Sequence, residues 1–148
     1  MRAVIVAVTM MAAALAAPAF ADDNSPVGLW KNVDDVTGKV KALIRITDNK
    51  GEMQGRIEKL FPAVGEDPNP KCNLCEGVNK DQPVIGMMIM SGLKKDGDEF
   101  NGGTILDPDN GKVYRSKMTL VESGKKLKVR GYIGMPMLGR SQVWLRQE

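Results

Sequence analysis

The alternation of apolar and polar residues is the feature of this sequence that most restricts its fold. After the first 21 residues the dominant period is two, and glycine-centred turns interrupt the pattern at short intervals. In residues 39–47, for example, Ala42, Ile44 and Ile46 fall on one side of an extended chain and Arg45 falls on the other. Such a pattern is typical of an antiparallel all-β domain in which one face of each strand is buried.

Eight segments fit this period, and their connections suggest the topology. Most connections are tight turns and no helical period is present, which favours a single antiparallel up-and-down β-barrel over a sandwich with long crossings. One connection, residues 62–82, is a long loop. The fourth segment is apolar on both faces, so another part of the chain must cover its outer side. The predicted strands are residues 27–33, 39–47, 53–61, 83–90, 100–106, 112–121, 127–133 and 140–146.

Residues 1–21 are predicted to be a signal peptide that is cleaved from the mature protein. Arg2 supplies a positive charge, residues 4–17 form an apolar run too short to span a bilayer comfortably, and Ala19-Phe20-Ala21 is typical of a cleavage site. An uncleaved membrane anchor is the alternative. We expect the mature protein, residues 22–148, to be one barrel domain that is periplasmic or secreted.

The composition argues against several classes of function. Histidine is absent, which removes Ser-His-Asp and Cys-His arrangements and the commonest transition-metal ligand. The net charge of +3 falls to +2 when Arg2 is removed, and this makes no case for nucleic-acid binding. Glu58, Asp107 and Asp109 are explained by outer faces and turns, and residues 107–111 lack the pattern of an EF-hand calcium loop. We therefore expect no catalytic site, no metal site and no cofactor.

The two tryptophans indicate where the barrel closes. Trp30 lies on the first predicted strand and Trp144 on the last, and closing the barrel brings those strands together. Gly28-Leu29-Trp30 resembles the G-x-W motif near the start of lipocalins and their relatives. That resemblance implies that the Trp30 indole packs across the closed end of the barrel beneath a basic side chain from the final strand, for which Arg146 is the candidate.

A second resemblance covers nearly the whole mature chain. An ordered set of motifs is similar to the bacterial exported family called domain of unknown function 2147 (DUF2147). The resemblance implies a lipocalin-like barrel in an exported protein, with no established activity. The motifs are Gly28-Leu29-Trp30, Cys72-Asn73-Leu74-Cys75, Val84-Ile85-Gly86-Met87, residues 102–108, residues 111–114, residues 127–134, Gly139-Arg140 and Trp144-Leu145-Arg146.

Cys72 and Cys75 are the two cysteines of the chain, and in an oxidising compartment such a pair most simply forms a disulfide. The bond would restrain the long loop. A redox pair is an alternative, although Pro70-Lys71 offers no helix start that would lower the pKa of Cys72. Structural zinc is disfavoured because the chain offers two thiolates and no imidazole.

The apolar loop between the last two strands is the candidate ligand entrance. It contains Met135, Met137 and Leu138, which are expensive to leave in water, so we expect a ligand, a partner or a neighbouring segment to cover them. The other methionines are expected to fill the core, and copper(I) binding is the alternative for this class of residue.

Two classes of function remain. The first is a binding module that holds a small apolar or amphipathic molecule of the cell envelope inside the barrel. The second is an interaction or structural protein whose barrel is filled by its own side chains and which docks through an apolar segment. Contact with an anionic membrane surface is compatible with the basic stripe formed by Lys126, Lys128 and Arg130. The volume of the barrel interior would discriminate between the two classes, and the pattern does not determine the oligomeric state.

Overall fold

A computed structural model describes residues 24–148, and the predicted signal peptide lies outside the described residues. Eight strands form a closed barrel in which each is antiparallel to its neighbours, with β8 returning to β1. This confirms the predicted all-β up-and-down barrel. The strands are β1 Gly28–Val33, β2 Val40–Asn49, β3 Glu52–Leu60, β4 Met88–Asp96, β5 Glu99–Asp107, β6 Lys112–Val121, β7 Lys126–Tyr132 and β8 Arg140–Arg146.

The barrel has two unlike ends, because successive strands run in opposite directions and their connections alternate. We call one end the closed end. It carries the short turns at residues 50–51, 97–98 and 122–125, together with both ends of the described chain. We call the other the loop end. It carries residues 34–39, 61–87, 108–111 and 133–139.

The fourth strand differs from its prediction. It covers Met88–Asp96, whereas the apolar pattern placed it at residues 83–90. Residues 83–87 belong instead to the long loop, where Gly86 has a positive φ of 89° and Val84 and Met87 are buried. Burial of loop side chains explains why this run is apolar at consecutive positions.

Glycine at two facing positions lets β4 and β5 approach closely. Gly92 has a φ of 75° and faces Gly103 on the neighbouring strand. The register of β4 with β3 shifts at this point, between Met53 and Gly55. A Cβ on Gly103 would collide with the backbone from Ser91 to Leu93. Because bulges re-aim the residues around them, this shift in register shapes the inner wall at mid-barrel.

Large apolar side chains from every part of the sheet form the core inside the barrel. Residues directly opposite each other on neighbouring strands share a face, so the register identifies the inner residues. Within residues 24–148, no helix has the length and apolar character needed to cross a membrane. The largest fully buried apolar side chains are Trp30, Trp144, Ile44, Ile46, Met90, Leu93, Met118 and Leu127.

Candidate ligand-binding site

Trp30 and Arg146 seal the closed end. They stand opposite each other across the β1–β8 pair, and the guanidinium carbon of Arg146 lies 4.4 Å from the centroid of the buried Trp30 ring. The Trp30 indole N–H donates to the carbonyl oxygen of Pro26 at 2.8 Å. Stacking of a cation on an indole is favourable, and more so where water is excluded.

The Arg146 guanidinium also joins three segments of backbone. Its Nε donates to the carbonyl oxygen of Gly124 at 2.7 Å, and its Nη1 and Nη2 donate to those of Val27 at 3.1 Å and Ser25 at 2.7 Å. Arg146 therefore ties the β6–β7 turn and the segment before β1 to the final strand.

Trp144 lies two residues before Arg146 on β8, nearer the loop end. Next to it, in the same direction, are the amide side chains of Asn32 and Gln142, which we call the amide pair. The Trp144 indole N–H lies 3.3 Å from the Gln142 Oε1 atom, which also accepts a hydrogen bond of 3.0 Å from the Asn32 Nδ2 atom. Asn32 is opposite buried Ala42 and Gln142 is opposite buried Val129, so both amides face the interior. Both remain partly exposed.

Several residues that line the half of the interior nearer the loop end are only partly buried. Ile105 and Tyr114 are opposite each other on the inner face and are partly exposed. Gly131 adds no side chain to the same wall, and an added Cβ there would lie 3.5 Å from both Ile105 and Tyr114, an ordinary contact. The partial exposure of these inner residues contrasts with the complete burial of Trp30 at the other end.

Ser116 is a buried polar residue on this wall. It stands between Gly103 and Gly131 on the inner face and has no exposed surface. Within residues 24–148, its Oγ atom is buried without a hydrogen-bond partner. An unsatisfied buried hydroxyl costs about 1–3 kcal/mol, so its position needs an explanation.

The inner wall of the loop-end half therefore has two characters. Polar groups lie on β1, β6 and β8, where Asn32, Ser116 and Gln142 are found. Apolar groups lie on β2 to β5 and include Ala42 and Met90. An inner wall that is polar on one side and apolar on the other is suited to an amphipathic molecule.

The disulfide loop packs against this end of the barrel. Cys72 and Cys75 are bonded, with their Cα atoms 5.3 Å apart, which confirms the predicted disulfide. The Cys72 Sγ atom lies 3.5 Å from the carbonyl oxygen of Pro108, and a Cβ on Gly111 would collide with the backbone of Leu74. The long loop is thus fitted closely to the β5–β6 turn.

Burial of this disulfide argues against a redox function. Cys72 is completely buried and Cys75 is 2% exposed. Thiol–disulfide exchange requires a thiolate to reach one of the sulfur atoms, and redox-active cysteines are accessible for that reason. The geometry is that of a structural bond.

Two open clefts lie on the outside of the barrel. One, of about 320 Å³, lies between the disulfide loop and the strands β5 and β6, and its lining includes Cys75, Leu106 and Val113. The other, of about 340 Å³, lies over β2 and β3 beside Ile85. Leu106 is opposite Val113, away from the inner residues Ile105 and Tyr114, and it is buried beneath the disulfide loop.

The predicted ligand-entrance residues lie on the loop end and are exposed. Met135, Met137 and Leu138 are 59%, 77% and 73% exposed, and Pro136–Leu138 forms a short 3₁₀ turn. No segment of the described chain buries them, although their sequence led us to expect a cover. They remain available to a ligand or partner.

Arg130 holds the backbone of this loop, a role that the sequence pattern did not reveal. Its Nε donates to the carbonyl oxygen of Pro136 at 2.6 Å, its Nη2 to that of Gly139 at 3.1 Å and its Nη1 to the Ser141 hydroxyl at 2.8 Å. The alternation had assigned Arg130 to a solvated basic stripe. Its guanidinium instead fixes the loop that carries the exposed methionines.

The acidic side chains considered from the sequence occupy structural positions. Arg45 donates to Glu58 at 2.8 Å, and this hydrogen bond holds the pKa of Glu58 below its usual value. Asp107 accepts from the backbone N–H of Asp109 in the β5–β6 turn at 2.9 Å. Among residues 24–148, no group of three or more Cys, Asp or Glu side chains could hold a metal ion.

The rim of the loop end also carries an ion pair between separate elements. Arg140, at the start of β8, lies 2.6 Å from the carboxylate of Asp35 in the β1–β2 loop. In the same loop, backbone N–H groups of Thr37 and Val36 hold the pKa of Asp34 below its usual value. These contacts order the rim beside the amide pair.

The eight-stranded barrel and its tryptophan–arginine seal define a lipocalin-like β-barrel protein. The model of the family described as uncharacterized protein conserved in bacteria (DUF2147) matches residues 28–146. The chain belongs to this family.

Among solved structures, the chain is similar to protein HP1028 from Helicobacter pylori, described as belonging to the lipocalin family. The two share 16% identity with a TM-score of 0.70, and the match covers 84% of each chain. At that identity the likeness concerns the fold. No curated protein gave a significant match.

Proposed function

We propose that this protein is an exported lipocalin-like barrel that binds a small apolar or amphipathic molecule in its loop-end half. The observation that supports this most is the difference in burial between the two ends of the interior. Trp30 and Trp144 fill the closed end, whereas Asn32, Tyr114 and Gln142 on the inner wall of the loop end stay partly exposed. Ligand sites in proteins are concave, mainly apolar and furnished with a few placed polar groups.

The filled closed half limits the ligand. A molecule can enter only as far as the level of Trp144 and the amide pair, so a long chain would extend past the rim. There it would meet the exposed side chains of Met135, Met137 and Leu138. Methionine suits such a contact because its flexible and polarisable side chain adapts to different partners.

We call the proposed ligand space in the loop-end half of the interior, beside Asn32, Ser116 and Gln142, the cup. The proposal can be tested with variants whose larger side chains reduce this space. Diphenylhexatriene, an uncharged hydrocarbon that fluoresces in apolar surroundings, serves as the probe. Gly131→Leu places a branched side chain over the inner wall and should lower probe affinity at least about tenfold, because overfilled interiors accommodate extra groups poorly. Gly131→Ala is the matched control, since its Cβ makes only ordinary contacts and Gly131 does not have a positive φ.

The outcomes are distinct if folding is checked by circular dichroism. Loss of uptake in Gly131→Leu, with retention in Gly131→Ala, supports binding inside the barrel. Ile105→Phe narrows the same space from β5 and replaces Gly131→Leu if that variant fails to fold. Equal uptake by the wild type and by folded narrowing variants would overturn the proposal.

Export is part of the same proposal. The apolar run and the Ala19-Phe20-Ala21 sequence support cleavage after residue 21 and a periplasmic or secreted location. Mass spectrometry of the protein isolated from its producing cells should find Asp22 as the first residue. A retained Met1 would contradict cleavage.

A docking protein is the second candidate, because apolar side chains are exposed on several separate loops of the loop end. Val36 belongs to the β1–β2 loop, Val64 and Val78 to the long loop and Met137 to the β7–β8 loop, and all four are exposed. A rim of this kind could rest on another protein or on a membrane surface. This candidate is favoured if the wild-type protein sediments with lipid vesicles and Val64→Ser abolishes that sedimentation. The protein alone should then take up no diphenylhexatriene.

A further inference from the structure

The hydroxyl group of Ser116 and the amide pair lie on one side of the proposed cup. Ser116 is opposite Gly131 in the β6–β7 pair, and Val129, two residues before Gly131, is opposite Gln142 in the β7–β8 pair. Two inner-face residues of β7 therefore lie between Ser116 and Gln142: Val129, whose side chain is buried, and Gly131, which has none. Ser116 has no exposed surface, so a ligand group that touches both polar groups must displace a neighbouring side chain.

The amides keep hydrogen-bonding capacity after bonding to each other. The Asn32–Gln142 bond uses one amide hydrogen of Asn32 and the Oε1 atom of Gln142. Among the hydrogen bonds of residues 24–148, none uses the Asn32 Oδ1 atom or the Gln142 amide nitrogen. The Asn32 Oδ1 acceptor, the second amide hydrogen of Asn32 and both amide hydrogens of Gln142 are thus left on partly exposed side chains that face the interior.

The two arginines of β8 that face inward already have partners outside the proposed cup. Arg146 stacks on Trp30 and donates to three carbonyl groups at the closed end. Arg140 lies at the rim, paired with Asp35. Arg140 is opposite Gly131 on this face, so a carboxylate or phosphate brought to Ser116 would lose hydration and would have to compete with Asp35 for that cation.

We infer that Ser116, Asn32 and Gln142 bind the uncharged, hydrogen-bonding head group of an amphipathic ligand, such as a primary amide or a hydroxyl group. This inference rests on the proposed binding function and adds the class and orientation of the ligand. The head group lies between the Ser116 hydroxyl and the two amides, and the apolar tail points toward Met135 and Met137. Ile105, which packs over Gly131 and is partly exposed, turns aside to admit the head group to Ser116.

Two ligands of equal chain length provide the first test. Decanamide and decanoate differ at the head group, and at pH 8 the first is neutral whereas the second is ionised. Both are titrated against wild-type protein loaded with diphenylhexatriene. We expect decanamide to displace the probe at a concentration at least about tenfold lower than decanoate, because the neutral head group loses less hydration and does not compete with Asp35 for Arg140.

Two variants identify the residues. Ser116→Ala should weaken decanamide binding about threefold to tenfold, the usual range for one lost hydrogen bond, and should not lower the melting temperature. Asn32→Leu with Gln142→Leu replaces both amides together, so neither is left without its partner, and should abolish the preference for decanamide. Thr104→Val removes an exposed hydroxyl from β5 and is the control that should change nothing.

The results separate this inference from the proposed function. If wild-type protein takes up no diphenylhexatriene, the binding function itself fails. If it takes up the probe but shows no preference for decanamide, or keeps that preference in both variants, binding occurs without this head-group site and the inference is overturned. A lower melting temperature in Ser116→Ala with unchanged decanamide affinity would assign the hydroxyl to stability and also overturn it.

Discussion

The two ends of this barrel are built from the same eight strands and differ in almost every other respect. The turns of the closed end, residues 50–51, 97–98 and 122–125, contain no large apolar residue, and a buried tryptophan fills the space between them. Three of the four connections at the loop end are longer than these turns, and the same three carry exposed apolar side chains. From this comparison we expect the closed end to contribute more to stability and the exposed loops of the loop end to be free to vary for contacts with other molecules.

Trp30→Ala should produce the largest effect. It removes a completely buried indole together with the surface on which Arg146 stacks, so we expect a loss of about 3–5 kcal/mol of unfolding free energy. Urea denaturation measures this loss. Leu138→Ala at the loop end is the control and should change stability by less than about 0.5 kcal/mol. Comparable losses in the two variants would break the contrast between the ends.

Removal of the disulfide should have an intermediate effect. Unreduced protein should contain no free thiol, and replacing Cys72 and Cys75 by alanine should cost about 2 kcal/mol on the chain-entropy model, plus any packing lost at these buried sites. Hydrogen exchange should then accelerate in residues 61–87 and stay slow in β1 and β8. Global unfolding on reduction would show that the long loop supports the whole barrel.

Met135→Ser with Met137→Ser should have the smallest effect on stability. Both side chains are mostly exposed, so the melting temperature should be nearly unchanged, whereas affinity for diphenylhexatriene should fall severalfold. Met118→Ser is the matched control, because Met118 is 1% exposed and its loss should lower the melting temperature clearly. A large drop for the loop pair, with unaltered probe uptake, would place the loop in the core and remove it from the entrance.

The local sequence pattern is sufficient to predict features that depend on residues close together in the chain. Alternation and turns predicted the barrel, and the spacing of Cys72 and Cys75 predicted their bond. The fourth strand was misplaced because residues 83–87 are apolar for a different reason, namely burial of Val84 and Met87 by a loop. Apolar runs do not distinguish these two cases.

The proposed polar site could not be predicted, because it depends on register between strands. Asn32 and Gln142 are 110 positions apart in the chain and meet only when β1 joins β8. Ser116 resembles any serine on a strand until its neighbours across the sheet prove to be Gly103 and Gly131. The role of Arg130 likewise depends on how residues 133–139 fold back.

The joint between β1 and β8 also has a kinetic consequence. Its register consists of Trp30 with Arg146 and Lys31 with Leu145, supplemented by backbone bonds of 2.8 Å from Leu29 N–H to the Glu148 carbonyl oxygen and from Gln147 N–H to the Leu29 carbonyl oxygen. Contacts so distant in sequence carry a large loop-closure entropy and tend to form late in folding. A chain that emerges from its N-terminus can assemble seven strands as an open sheet, but it cannot close the barrel until the eighth has arrived. The same joint, with fewer paired residues than the other seams, is where we expect the barrel first to open.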